Sequence, residues 1–132
     1  MPNIKNAVYN HQRMMELASK MMKNWAPHAN ETPEKYVERM DSVDTRQVQM
    51  MDNLKTHFGL SEGEAKKVTL SSQPYWERFF RKHVEGIYQL DGSRYGALRY
   101  IQRKNSYLRD GAGIFSQAEI DELIDSVGKW KR

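Results

Sequence analysis

The strongest constraint on this chain is a rhythm. Apolar residues recur at three- and four-residue spacing almost throughout, and no run alternates apolar and polar side chains as a half-buried strand would. Glycine, proline and Ser/Thr/Asp clusters cut that rhythm into segments of helical length. The expected fold class is all-α, a compact bundle of six or seven short-to-medium helices. The chain's 132 residues fit one helical domain over 1–132, long enough to bury a core without staples.

The first helix is predicted over 3–25. Ile4, Val8, His11, Met15, Ala18, Met22 and Trp25 form its stripe, Leu17 and Met21 widen it, and Pro27 stops it. Thr32, Pro33 and Glu34 read as a cap, a first-turn proline and an acidic first turn. They open a short helix to about residue 41, with Tyr36, Val37 and Met40 inward. A third helix is predicted over 44–58 on Val48, Met51, Leu54 and Phe58, closed by Gly59. Ser61 and Glu64 match a capping box that starts a helix to about residue 70. Ser72-Gln73-Pro74 opens the most amphipathic segment, where Trp76, Phe79, Phe80, His83, Val84 and Ile87 share one face. After the turn at Asp91-Gly92, Ser93 caps a helix to about residue 109, with Tyr95, Leu98, Ile101 and Leu108 inward. Gly111-Ala112-Gly113 is expected to be the most flexible point. Phe115, Ser116 and Glu119 then combine a hydrophobic staple with a capping box, ahead of a last helix that buries Ile120, Leu123, Ile124 and Val127.

Several function classes drop out. The chain has no cysteine, which excludes disulfides and thiolate metal sites. Its apolar runs are too short to span a membrane, and its first residues lack the apolar centre of a signal peptide. The expected location is therefore cytoplasmic. No metalloprotease helix, glycine-rich phosphate loop or nucleophile elbow is present. His11, His28, His57 and His83 share no ligand-like spacing with carboxylates, and His83, mid-stripe, reads as a hydrogen-bonded core histidine. No catalytic residue, metal ligand or cofactor is expected. An enzyme whose groups converge only in the fold, around His57 or His83, stays open.

The net charge is +4, unevenly spread. Residues 75–109 hold eight basic and three acidic residues and eight of the fourteen aromatics, a composition that attracts polyanions. The same residues also suit a core of aromatics solvated by arginines.

The most specific local pattern is Leu54, Phe58, Gly59, Leu60, Ser61, Ala65 and Val68. It resembles the helix-turn-helix motif of bacterial transcription regulators. The resemblance implies that Gly59 makes the turn, Leu60 is buried in it and Ser61 caps a recognition helix. Ala65 and Val68 would anchor that helix, and Ser61, Glu62, Lys66 and Lys67 would face DNA, the lysines neutralising phosphate. Lys55 stands where the family has a small residue, and Gly63 lowers helicity early in the second helix. A plain glycine cap and capping box between two core helices would give the same string.

A second candidate surface lies on the helix from residue 94 to 109, where Arg99, Tyr100, Arg103, Lys104 and Tyr107 sweep around the side away from Leu98, Ile101 and Leu108. Such a face suits phosphate contacts with base stacking, a protein interface anchored by Tyr and Arg, or tyrosines at the core edge under arginine stems. Two functions follow. One is a small basic regulatory or accessory protein that binds nucleic acid, DNA in the first instance. The other is a protein-binding adaptor or inhibitor that docks on a larger enzyme, in the style of a phage- or plasmid-borne accessory protein. A dimer is compatible with either.

Overall fold

A computed structural model describes residues 2–108 and 113–130, with side chains from residue 4. Among these residues there are six α-helices and no strand: α1 (Pro2–Lys20), α2 (Pro33–His57), α3 (Glu62–Ser71), α4 (Gln73–Gln89), α5 (Arg94–Tyr107) and α6 (Gln117–Asp125). A 3-10 turn, Met22–Trp25, follows α1. The chain is an all-α bundle. No helix among the described residues is long and apolar enough to cross a membrane.

α4 is the axis of the bundle, packing against every other helix and against the 3-10 turn. Its sequence explains why. Trp76, Phe79, Phe80, His83, Val84 and Ile87 are all buried, as their spacing predicts. Their rings interlock edge to face: Trp76 on Phe79 at 5.5 Å, Trp25 on Phe79 at 5.2 Å, and Phe80 tilted on Phe115 at 5.7 Å. Gly86 lets α2 approach α4. A Cβ there would fall 2.3 Å from the Tyr36 ring, whose hydroxyl donates to the Trp25 carbonyl at 2.5 Å. The capping boxes at Ser61/Glu64 and Ser116/Glu119 and the cap at Ser93 form as the sequence predicts.

Three expectations need correction. The helices predicted over 33–41 and 44–58 are one continuous 25-residue helix. Asp41, Ser42 and Asp44 look like a break, but no glycine or proline interrupts the backbone. Asp44 bonds side chains of the core instead of capping a helix. The first helix ends at Lys20, its last turn tightened into the 3-10 turn that buries Trp25. Leu17 and Met21, expected to widen the buried stripe, are exposed, and so is Tyr95 at 65%.

Gly111 and Ala112, expected to be flexible, lie outside the described residues. Gly113 is fastened. Its φ of +75° suits glycine, and a Cβ would meet the Asn105 side chain at 2.4 Å. Asn105 Oδ1 accepts from the backbone N–H groups of Ile114 and Phe115 at 2.9 and 3.0 Å. Its Nδ2 donates to the Phe115 carbonyl at 3.0 Å. One buried side chain thereby ties the start of the last segment to α5.

Candidate nucleic-acid interface

α5 carries most of the candidate residues, and the structure divides them into two sets. Tyr100 and Lys104, one turn apart, face inward and are 2% and 5% exposed. The expectation that they share an outward face with Arg99 is wrong, because α2 presents acids to that side of α5. Tyr100 donates to Asp44 Oδ2 at 2.6 Å, and His83 Nε2 donates to Asp44 Oδ1 at 2.8 Å. Burial, together with the adjacent Asp44 carboxylate, holds the Tyr100 phenol far above its ordinary pKa, so it stays a donor. The two side chains fasten α4 and α5 to one buried carboxylate of α2. Asp44 and His83 have the arrangement of the carboxylate–imidazole half of a nucleophilic triad. However, His83 is fully buried and its Nδ1 has no hydrogen-bond partner among the described residues, so no nucleophile there completes it.

Lys104 lies one turn further along. Its ammonium pairs with Asp41, lies 3.4 Å from Thr45 Oγ1 and sits 5.7 Å from the Tyr107 ring centroid. Arg103 reaches the same Asp41 at 3.4 Å. These groups line a groove of about 490 Å³ between α2 and α5, with Val48, Gln49 and Asp52 completing the α2 wall.

The outward set is Tyr95, Arg99, Arg103 and Tyr107, spaced four residues apart. Tyr95 and Tyr107 are 65% and 61% exposed, and both arginines are exposed. The stripe runs roughly 18 Å along α5 and turns by about 40° per step, which brings its Arg103–Tyr107 end to the rim of the α2 groove. Arg99 lies over the Tyr95 ring at 5.6 Å and has no carboxylate partner among the described residues. Sequence reasoning placed Tyr95 in the core. The signal that identifies it is the spacing 95, 99, 103, 107, which puts it on the arginine line rather than with Ile101 and Leu108.

The helix-turn-helix candidates sit elsewhere. Gly59 has φ +61°, Ser61 caps α3, and Val68 is fully buried. Ser61, Glu62, Lys66 and Lys67 are all exposed. Lys66 is paired with Glu62 at 3.7 Å, one turn back. Lys55 reaches across to Thr69 on α3. α3 packs on α1 and α4, whereas α5 packs on α2, α4 and α6, so the two candidate surfaces meet mainly through α4.

The basic block over 75–109 is more balanced in space than in sequence. Arg94 bonds Asp125 at 2.7 Å and Asp121 at 3.4 Å, and Arg81 pairs with Glu77 at 3.6 Å. Acids from α2, α4 and α6 thus pair with Arg103, Arg81 and Arg94, whereas Arg99 has no carboxylate partner among the described residues. Among the described residues no three His, Asp or Glu side chains converge to hold a metal ion. No family model, curated protein or solved structure matches the chain.

Proposed function

We propose that the protein binds single-stranded nucleic acid through the outward face of α5. One observation carries the reading: two exposed arginines, Arg99 and Arg103, lie between two exposed tyrosines, Tyr95 and Tyr107, at four-residue spacing along one helix. Arginine supplies forked donors for phosphate oxygens, and an exposed phenol ring is a platform on which any base stacks. A single strand offers both partners to one helix face, because its bases are not locked inside a duplex. α3 is the weaker choice on charge grounds, since Glu62 and Glu64 lie beside Lys66 and Lys67. A helix-turn-helix use of α3 would instead favour duplex DNA, with Ser61, Glu62, Lys66 and Lys67 toward the major groove.

Fluorescence anisotropy with labelled single strands and duplexes over a salt series tests this reading. Single strands bind more tightly than duplexes of the same sequence. Replacing Arg99 and Arg103 by Gln lowers the slope of log affinity against log salt by about 1.4, the value for two single-strand phosphates. Replacing Lys66 and Lys67 by Gln leaves that slope unchanged. No binding at low salt, or a slope lost only with Lys66 and Lys67, removes the α5 reading.

A different face supports the adaptor reading. Tyr9 and Leu17 are 60% and 62% exposed along the outer side of α1, with Arg13 between them, and Met21, just past the end of the helix, is 56% exposed. Exposed Tyr, Arg and Leu on one helix, with an exposed Met at its end, suit a protein partner. A single co-purifying protein that is lost on Leu17→Asp, with salt-dependent strand binding absent, would establish that role instead.

A further inference from the structure

The groove between α2 and α5 has its own chemistry. Lys104 and Arg103 share one carboxylate, Asp41, and neither has a second among the described residues. The groove's other carboxylate, Asp52, lies 3.9 Å from Lys55, so at the Asp41 end two cations face one anion, and the Lys104 ammonium there is buried. The donors are also under-used. A lysine ammonium has three N–H groups; Asp41 takes one and Thr45 another at 3.4 Å, so the third lacks a protein acceptor among the described residues. The Arg103 fork has five N–H groups and reaches Asp41 only at 3.4 Å. Tyr107 forms one wall with its ring largely exposed, and Gln49 and Asp52 offer amide and carboxylate oxygens further along. The volume of about 490 Å³ fits a small ligand rather than a side chain.

We propose that this groove is a subsite for a nucleoside monophosphate with a terminal phosphate. The phosphate sits on Lys104 and Arg103, the base stacks on Tyr107, and an exocyclic amine faces Gln49 and Asp52. A terminal phosphomonoester suits the site better than an internal phosphodiester. It brings nearly two charges and three acceptor oxygens, against one charge and two free oxygens for a diester. The nucleotide comes either from solution or from the 5′ end of a strand lying along α5, and the second source rests on the single-strand reading above.

The test has two arms. In the first, adenosine 5′-monophosphate and adenosine are titrated into isotope-labelled protein and followed by NMR. The monophosphate shifts the signals of Thr45, Gln49, Lys104 and Tyr107, and adenosine does so at least about tenfold more weakly. In the second, anisotropy compares one short oligonucleotide with a 5′-phosphate or a 5′-hydroxyl. The phosphate gives about a tenfold advantage, the gain from one well-placed charged contact. Arg103→Gln, at a half-exposed side chain whose loss spares the fold, removes both preferences. Asp41→Asn removes the competing carboxylate and strengthens phosphate binding, where a purely structural Asp41 would weaken it. A shift with the monophosphate but equal affinity for the two strands makes the free nucleotide the source. Monophosphate binding without any strand binding keeps the subsite and removes the single-strand reading. Strand binding with no phosphate preference and no response to the monophosphate overturns the subsite alone.

Discussion

The two sides of α5 use the same residue types to opposite ends. On the inner side Tyr100 and Lys104, four residues apart, are buried against Asp44 and Asp41. On the outer side Tyr95, Arg99, Arg103 and Tyr107, also four apart, face solvent. A tyrosine beside a cation therefore carries no address of its own. What decides is whether a facing helix supplies a carboxylate. α2 supplies two, one turn apart, on the side where Tyr100 and Lys104 fall. Among the described residues no acid pairs with Arg99. Tyr100 fastens the bundle, Lys104 and Arg103 share Asp41 at the groove, and Tyr95, Arg99 and Tyr107 are left for a partner.

That contrast can be broken most severely at its centre. Asp44→Ala leaves His83 and Tyr100 buried with no acceptor, and it costs about 3–5 kcal/mol in urea unfolding. A loss below about 1 kcal/mol would mean that the carboxylate is not the fastening point.

A third buried group sharpens the comparison, because it has burial without a carboxylate. His11 is fully buried, neither ring nitrogen has a hydrogen-bond partner among the described residues, and its pKa is pushed down to about 4 by burial and then by Lys55. The unfolded chain takes up this proton near pH 6.5, well before the folded one. Stability is therefore complete above about pH 6.5 and falls by about 3 kcal/mol as pH drops toward 4. His11→Leu flattens that part of the pH profile. An equally steep fall in the variant would place the acid sensitivity elsewhere.

The smallest effects separate the tyrosines. Tyr100→Phe removes one of the two bonds to Asp44 and costs about 1–2 kcal/mol. Tyr95→Phe and Tyr107→Phe cost less than about 0.5 kcal/mol, as surface changes do. Similar losses at all three positions would erase the distinction between the two sides.

The helical periodicity made most of the fold legible. The α4 stripe, the capping boxes and the all-α class follow from spacing and cap residues alone. The continuity of α2 was hidden because Asp44 is a good cap residue in isolation. Only the presence of His83 and Tyr100, 39 and 56 residues away, turns it inward. The candidate surface was half legible for the same reason. Arg99, Arg103 and Tyr107 are exposed as read, but Tyr100 and Lys104 were drawn inside by acids on a distant helix. Tyr95 was set in the core because an aromatic near Leu98 looks apolar when its register against the arginines is ignored. Charge pairing across helices is the term that a linear reading lacks.

The most direct measurement of the central claim is an NMR map of the isotope-labelled protein with a short single-stranded oligonucleotide at low salt. The account predicts that the largest shifts fall on Tyr95, Arg99, Arg103 and Tyr107 and fade as salt is raised, while His83 and Asp44 stay in place. Shifts confined to Lys66 and Lys67 on α3, or to Tyr9 and Leu17 on α1, or no shift at all, would contradict it.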